Sequence, residues 1–351
     1  MNATTIGIDL AKNTFHLCAM NARGRVLWRR RESRAGLLRC LRPLPPCRVV
    51  MEACGGSHYW AREIAALGHE AKLVSGQFVK PFVKSNKNDV CDAEAICEAG
   101  SRPTMRFVPV KTVQRQDIQA LHRSRELLLK FRTALSNQIR GLLLENGIPV
   151  ATGRPALHRA LPALLDPDDG RLTALFRELL RGLADHLQSL TQRLHAIDAQ
   201  LTRLCHAHEA TQRLLEVPGI GPLTATALFA AVGTGADFEN GRHLAAWVGL
   251  VPRQWTTGGK PRLLGISKRG DRYLRKLLIH GARSVLIAPT DLGRTQRWAR
   301  AVQARTCTNK AAVGLANKNA RIAWALLYRG EHYRHRATGP GAPAHAPAPR
   351  R

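Results

Sequence analysis

Hydrophobic and polar positions change period twice along this chain. Residues 4–10 form a β-branched apolar run that reads as a buried strand. Residues 14–20 and 25–30 flank Asn21-Ala22-Arg23-Gly24, which predicts a hairpin. A short helix is expected over 35–41, a fourth strand over 48–51 ending at Glu52, a helix over 59–67, a fifth strand over 70–74 and a helix over 92–99. From residue 114 to 146 the period lengthens, with Ile118, Leu121, Leu128, Leu135, Ile139, Leu142 and Leu143 at helical spacings and Gly147 as a stop. A Pro- and Asp-rich loop at 165–170 follows. Leu183, Leu187, Leu190, Leu194, Ile197, Leu201 and Leu204 then alternate steps of four and three. That seam predicts a coiled coil or a long helical hairpin, and it suits an intrachain helix pair as well as a dimer contact.

The predicted order βββαβαβα is that of ribonuclease-H-like domains. The expected fold class is α/β plus α, in four parts: an α/β domain over 1–110, a helical linker with coiled coil over 111–210, a mostly helical domain over 211–336, and a disordered Pro-, Ala- and Gly-rich tail over 337–351.

Composition narrows the chemistry. Apolar content of 44% supports real cores, and no run of eighteen apolar residues reads as a transmembrane helix. The N-terminus starts a strand at once and lacks a basic leader, so a bacterial cytoplasmic, nucleoid-associated protein is expected. The eight cysteines form no CxxC pair, and Cys40, Cys47 and Cys54 do not fit zinc spacing, so reduced thiols are expected. Lys and Arg number 54 against 25 Asp and Glu, a formal charge of +29. Such an excess calls for a polyanion, and nucleic acid fits better than a membrane surface because no isolated basic amphipathic helix is present.

Against that scarcity of acid, three acidic positions stand out. Asp9 lies in TIGIDLAKNTF, Glu52 in VVMEACGGSHYW, and Asp89 and Asp92 in NKNDVCDAEAI. Two follow apolar strands and the third pair opens a helix, with the i, i+3 spacing that shares one helix face. Helix capping accounts for one of Asp89 and Asp92, not both, and not for acids that end apolar strands. Together the four could hold Mg²⁺, which takes oxygen ligands and serves phosphodiester chemistry.

Two further features favour nucleic acid. Val217-Pro218-Gly219-Ile220-Gly221-Pro222, followed by LTATALFAAVG, predicts a helix-hairpin-helix whose Gly219 and Gly221 let backbone N–H groups approach a phosphate. Between Arg242 and Arg336 only Asp271, Asp291 and Glu331 are acidic, while Lys260, Arg262, Lys268, Arg269, Arg272, Arg275 and Lys276 crowd one stretch. Such a run would repel itself unless phosphates neutralise it. Trp255, in a polar loop, could stack on a base.

The motifs IGIDLAKNTF, MEACGGSHYW, VKPFVKSNKNDVCDAEAI, QALHRSRELLLKFRTALSNQIRGLL, VPGIGPLTATAL and WVGLVPRQWTTGGKPRLLGISKRGDRYLRKLLIHGAR resemble, in order and up to about residue 330, the DEDD transposases of the insertion sequence 110 family, nearest its eleven-eleven subgroup. The resemblance implies a RuvC-like domain with Asp9, Glu52, Asp89 and Asp92 as Mg²⁺ ligands, a helical linker and a C-terminal transposase domain. It implies recombination of double-stranded DNA at element ends and target, guided by a structured non-coding RNA, in a dimer or tetramer. It also implies a serine nucleophile in the C-terminal loop. Here that loop reads Trp255-Thr256-Thr257-Gly258-Gly259-Lys260, which leaves three readings: Thr256 or Thr257 is the nucleophile, the reading favoured here, Ser267 substitutes, or the protein binds but cuts poorly. A junction-resolving nuclease using water, or a non-catalytic binding protein, would share the basic surface without needing the hydroxyl.

Overall fold

A computed structural model describes residues 3–83 and 89–334, apart from the side chains of Asp89 and Val90. The tail expected to be disordered lies outside these residues. The chain divides into two compact units, Met1–Gln114 and Arg115–Arg351.

The first unit holds strands β1 (Thr5–Leu10), β2 (Thr14–Met20), β3 (Val26–Ser33), β4 (Arg48–Glu52), β5 (Glu70–Val74) and β6 (Phe107–Val108), with helices α1 (Leu37–Leu41), α2 (Ser57–Ala66), α3 (Gly76–Val79) and α4 (Asp89–Ser101). The sheet order is β3-β2-β1-β4-β5-β6. β1 pairs parallel with β4, and β4 with β5; the outer pairings are antiparallel. Alternation along the strands divides the sheet into two faces. Ile6, Ile8, Val49, Met51 and Leu73 pack with Leu37, Trp60 and Ile64 on one side. Val50 and Val74 meet Ala95, Ile96 and Ala99 of α4 on the other.

Glycine lets α4 lie directly on the sheet. A Cβ at Gly7 would fall 2.3 Å from the Ala93 carbonyl oxygen and 2.5 Å from the Cys97 nitrogen, and one at Gly100 would fall 2.4 Å from Val50 Cγ2. The Cys97 thiol lies 3.4 Å from the Thr5 carbonyl and Arg48 Nη1 lies 3.5 Å from that of Gly100. These contacts run α4 antiparallel to β1 and β4. Its first turn therefore lies at the end where Asp9 and Glu52 stand. The expected βββαβαβα order is present, with the two-residue β6 and the four-residue α3 added; both are too short to carry a periodic signal.

The second unit begins within α5 (Val113–Glu145). It continues through α6 (Arg154–Leu164), α7 (Ala174–Ala207), α8 (Glu209–Leu215), α9 (Pro222–Val232), α10 (Gly241–Val248), the hairpin β7 (Pro252–Thr257) and β8 (Lys260–Ile266), α11 (Arg272–Ile287), α12 (Arg294–Arg305) and α13 (Thr308–Arg329). The seam of α7 packs within the chain. Leu180 joins Ile139 and Leu143 from the end of α5. Leu201 joins Ile118 from its start, with Ala230 of α9. Arg125 pairs with Asp198 midway. The two long helices are thus antiparallel, and the linker is continuous with the core of α8–α13.

His122 of α5 ties this pair to α9 and α11. Its ring nitrogens lie 3.0 Å from the Tyr273 hydroxyl and 3.0 Å from Thr226 Oγ1. The Thr226 hydroxyl donates to the Pro222 carbonyl at 2.7 Å, so it accepts from Nε2, leaving Nδ1 to accept from tyrosine. That scheme needs the neutral ring. Burial, then the Arg125 charge, depress the His122 pKa to about 4. An unfolded chain takes up this proton near pH 6.5, whereas the folded one refuses it until about pH 4. Stability is therefore full above pH 6.5 and falls as pH drops towards 4, by on the order of 3 kcal/mol. Urea unfolding at pH 7.5 and 5 should show about 2 kcal/mol of this loss, and His122→Gln should reduce it.

Candidate active site

Asp9 and Glu52 end adjacent parallel strands. Ile8 pairs with Met51, so each acid lies one residue beyond the last matched pair, and alternation turns both to the α4 face. Asp92 sits in the first turn of α4, which Asp89 opens. Asp9, Glu52 and Asp92 are half-buried. The Cys54 thiol is raised above its usual range by desolvation and then by the charges of Glu52 and Asp9, which places both acids in one electrostatic neighbourhood. A Cβ at Gly76 would fall 2.5 Å from Glu52 Oε1, so the missing side chain makes room for the carboxylate. The donors are hard oxygens, the type a divalent cation such as Mg²⁺ takes. Among the described residues no group of three His, Cys, Asp or Glu side chains is arranged to hold an ion. The expected fourth ligand, Asp89, has its side chain outside them.

The sequence reading omitted His16. It pairs with Asp9 across β1 and β2, and cross-strand partners share a face. The signal was a tight turn at 11–13, which sets this register.

The loop expected around Thr256 and Thr257 is a two-stranded ribbon. Gly258 and Gly259 have φ of 57° and 76°, the left-handed pair that a two-residue hairpin turn demands. Thr257 pairs with Lys260 and Trp255 with Arg262, so these four side chains share one face. The Trp255 indole N–H donates to Thr257 Oγ1 at 2.9 Å. Thr256 lies on the opposite face with its cross-strand partner Pro261, and accepts from Gln254 at 2.9 Å. Every side chain of β7 is exposed, and Trp255 is 67% accessible. Ser267 lies beyond the ribbon, where its amide donates to the Val251 carbonyl at 2.8 Å.

The other predicted nucleic-acid residues divide. Lys268, Arg269 and Arg272 are exposed around the turn into α11. Arg275 is buried, and its Nη1 donates to the carbonyls of Val248 at 2.7 Å and Arg269 at 2.8 Å. Its charge is thus held by the backbone, where an apolar substitute would orphan two carbonyls. Lys276 pairs with Glu126 at 2.7 Å and lies over the Tyr273 ring. Gly219 packs on α11: a Cβ there would meet the Gly281 carbonyl oxygen at 2.9 Å. Its missing side chain thus serves a close backbone approach within the protein. Gly221, N-cap of α9, has open space around it.

Known proteins match both units. Residues 6–147 match a DEDD-type IS110 transposase family, and residues 211–296 match the family described as "Transposase IS116/IS110/IS902 family". The chain is 49% identical to a "Probable family 20 transposase" of Pseudomonas aeruginosa, over 95% of this chain and 99% of the relative. It is 45% identical to the "Transposase for insertion sequence element IS1111A" of Coxiella burnetii, over 94% of this chain and 91% of that one. It is 44% identical to the "Transposase for insertion sequence element IS1328" of Yersinia enterocolitica, over 94% and 98%.

The space beside Gly76 yields a test of the acidic edge. Gly76→Ala should displace the Glu52 carboxylate and weaken Mn²⁺ binding, read by electron paramagnetic resonance, by about tenfold or more. The urea midpoint should move little, because a methyl group at the half-buried start of α3 enters no core.

Proposed function

The chain belongs to the IS116/IS110/IS902 family of transposases, and on that premise we propose that it cuts and rejoins insertion-sequence DNA through a covalent bond to Thr257. The observation that carries this reading is the Thr257 hydroxyl itself. It lies on an exposed ribbon, oriented by the Trp255 indole, on the face that also carries Lys260 and Arg262. Accepting from the indole leaves the hydroxyl proton to be removed as attack begins. Thr256 lacks cationic cross-strand company, which favours Thr257 of the two.

The proposed step is an exchange of esters. Thr257 Oγ1 bonds to phosphorus and loses its proton, the bond from phosphorus to the 3′-oxygen breaks, and that oxygen takes up a proton. Lys260 and Arg262 neutralise charge growing on the phosphoryl oxygens. The phosphothreonine ester conserves bond energy, so a second 3′-hydroxyl can reverse the step without ATP. Asp9, Glu52, Asp89 and Asp92 are the residues that would hold Mg²⁺, and a bound ion would polarise the scissile phosphate.

A structured non-coding RNA is proposed as a second partner, on the family resemblance and a formal charge of +29 that suits a polyanion. A homo-oligomer is proposed because Leu127 and Phe131, one turn apart on α5, are each 50% exposed, as is Leu179 on α7. No helix among the described residues is long and apolar enough to cross a membrane.

The covalent step can be trapped. With a nicked duplex carrying the element end, the parent protein and Thr256→Ala should yield a denaturation-resistant protein–DNA adduct, and Thr257→Ala should reduce it by about a thousandfold or more, the scale of losing a nucleophile. Nicks with 5′-phosphate ends and no adduct would instead assign the reaction to water, as in a junction-resolving nuclease. Asp9→Asn and Glu52→Gln should abolish cleavage while leaving DNA binding intact.

A further inference from the structure

A second cationic surface lies at the root of the ribbon. A groove of about 1440 Å³ is lined by the start of α10, the base of β7–β8 and one face of α13. Arg242, Lys310, Lys318 and Arg321 line it, and no Asp or Glu does. None of the four has a carboxylate within ion-pair distance among the described residues. Lys318 is fixed over the Trp298 ring at 4.6 Å, a cation–π contact that holds its ammonium in place. Arg294 adds to the local charge: burial, then Arg294 and Arg321, lower the Lys318 pKa. Like charges gathered on one helix face without counterions destabilise the fold, and an anion is what relieves them.

The spacing suits an extended polyanion. Lys310, Lys318 and Arg321 recur on one face of α13, and the helical rise puts the first and last about 16 Å apart along the axis. Stacked nucleotides rise about 3.4 Å each, so this row spans roughly five of them. A single phosphate would occupy one cation and leave the others crowded.

We propose that the groove of α10, α13 and the ribbon base binds a DNA phosphodiester backbone as a track, holding the strand several nucleotides from the phosphate that reaches Thr257. The track rests on the strand-exchange reading for its purpose, but not for its binding. Pro252 and Ile266, which close the ribbon, also line the groove, so a strand seated there is anchored to the element that carries the hydroxyl. None of Arg242, Lys310, Lys318 and Arg321 belongs to the cluster over 260–276 that charge density alone singles out.

The test is equilibrium binding in EDTA, by fluorescence anisotropy, of short labelled oligonucleotides over a range of KCl concentrations. Three probes are used: single-stranded DNA, duplex DNA and an RNA hairpin. Lys310→Gln/Arg321→Gln should weaken binding about tenfold or more. It should also flatten the plot of log K against log salt by about 1.4 for a single strand or 1.8 for a duplex, the value for two lost phosphate contacts. Arg305→Gln, on α12 outside the groove, should change either quantity far less. A loss greatest on a DNA probe supports the track, and a loss confined to the RNA hairpin overturns it. Unchanged affinity and slope on all three probes, or an equal loss from Arg305→Gln, overturns the proposal. Should the double variant misfold, each single variant should still lower the slope by about half as much. Binding without divalent ions does not involve Thr257, so a missing covalent adduct leaves this result standing, and a failed track leaves the adduct standing.

Discussion

The first unit depends on contact between the backbone of α4 and two strands. Gly7 and Gly100 permit it: a methyl group at Gly7 would stand 2.3 Å from the Ala93 carbonyl oxygen. Close approach fixes the helix in both direction and height, so Asp92 arrives at the end of the sheet where β1 and β4 deliver Asp9 and Glu52. Two parallel strands set side by side put their terminal acids on the same face. The core packing of Val50, Val74, Ala95 and Ile96 holds helix and sheet in this arrangement.

The second unit solves another problem: how to present a ribbon that has no core of its own. Its roots do the holding. Arg275 bridges the Val248 and Arg269 carbonyls. Gly249 and Gly270 let the turn at 267–271 press on the end of α10, where a Cβ at Gly270 would sit 1.8 Å from the Trp247 oxygen. The buried guanidinium and the glycines make the base rigid. The tip can then carry Thr257, Lys260 and Arg262 in full solvent without losing its direction.

The strands of the first unit were legible because burial on both faces leaves near-continuous apolar runs, as in VVM before Glu52. The ribbon was not read as strands. Gln254, Trp255, Thr256 and Thr257 have no buried face, so no alternation of period two marks them, and only Gly258-Gly259 between β-favouring residues signalled a turn. The acids stand out in the sequence by their rarity, and His16 does not, since its place beside Asp9 depends on register rather than type. Arg275 and Gly219 have surroundings that the sequence does not show. A cation inside a basic run reads as surface until its carbonyl partners are seen, and a glycine in a turn reads as room for a ligand until a second backbone fills that room. The heptad seam of α7 was plain, but periodicity does not name a partner; α5 and the tip of α9 supply it here.

An isolated ribbon of two strands leaves two unsatisfied rims, each able to recruit the backbone of a neighbouring chain. This one carries its own deterrents. Pro252 and Pro261 lack the amide that further pairing would use, and the bulge beside Arg253 spoils the register. Lys260, Arg262 and Arg253 repel a like copy. The composition that suits the ribbon to polyanions thereby also keeps it from aggregating when no polyanion is present.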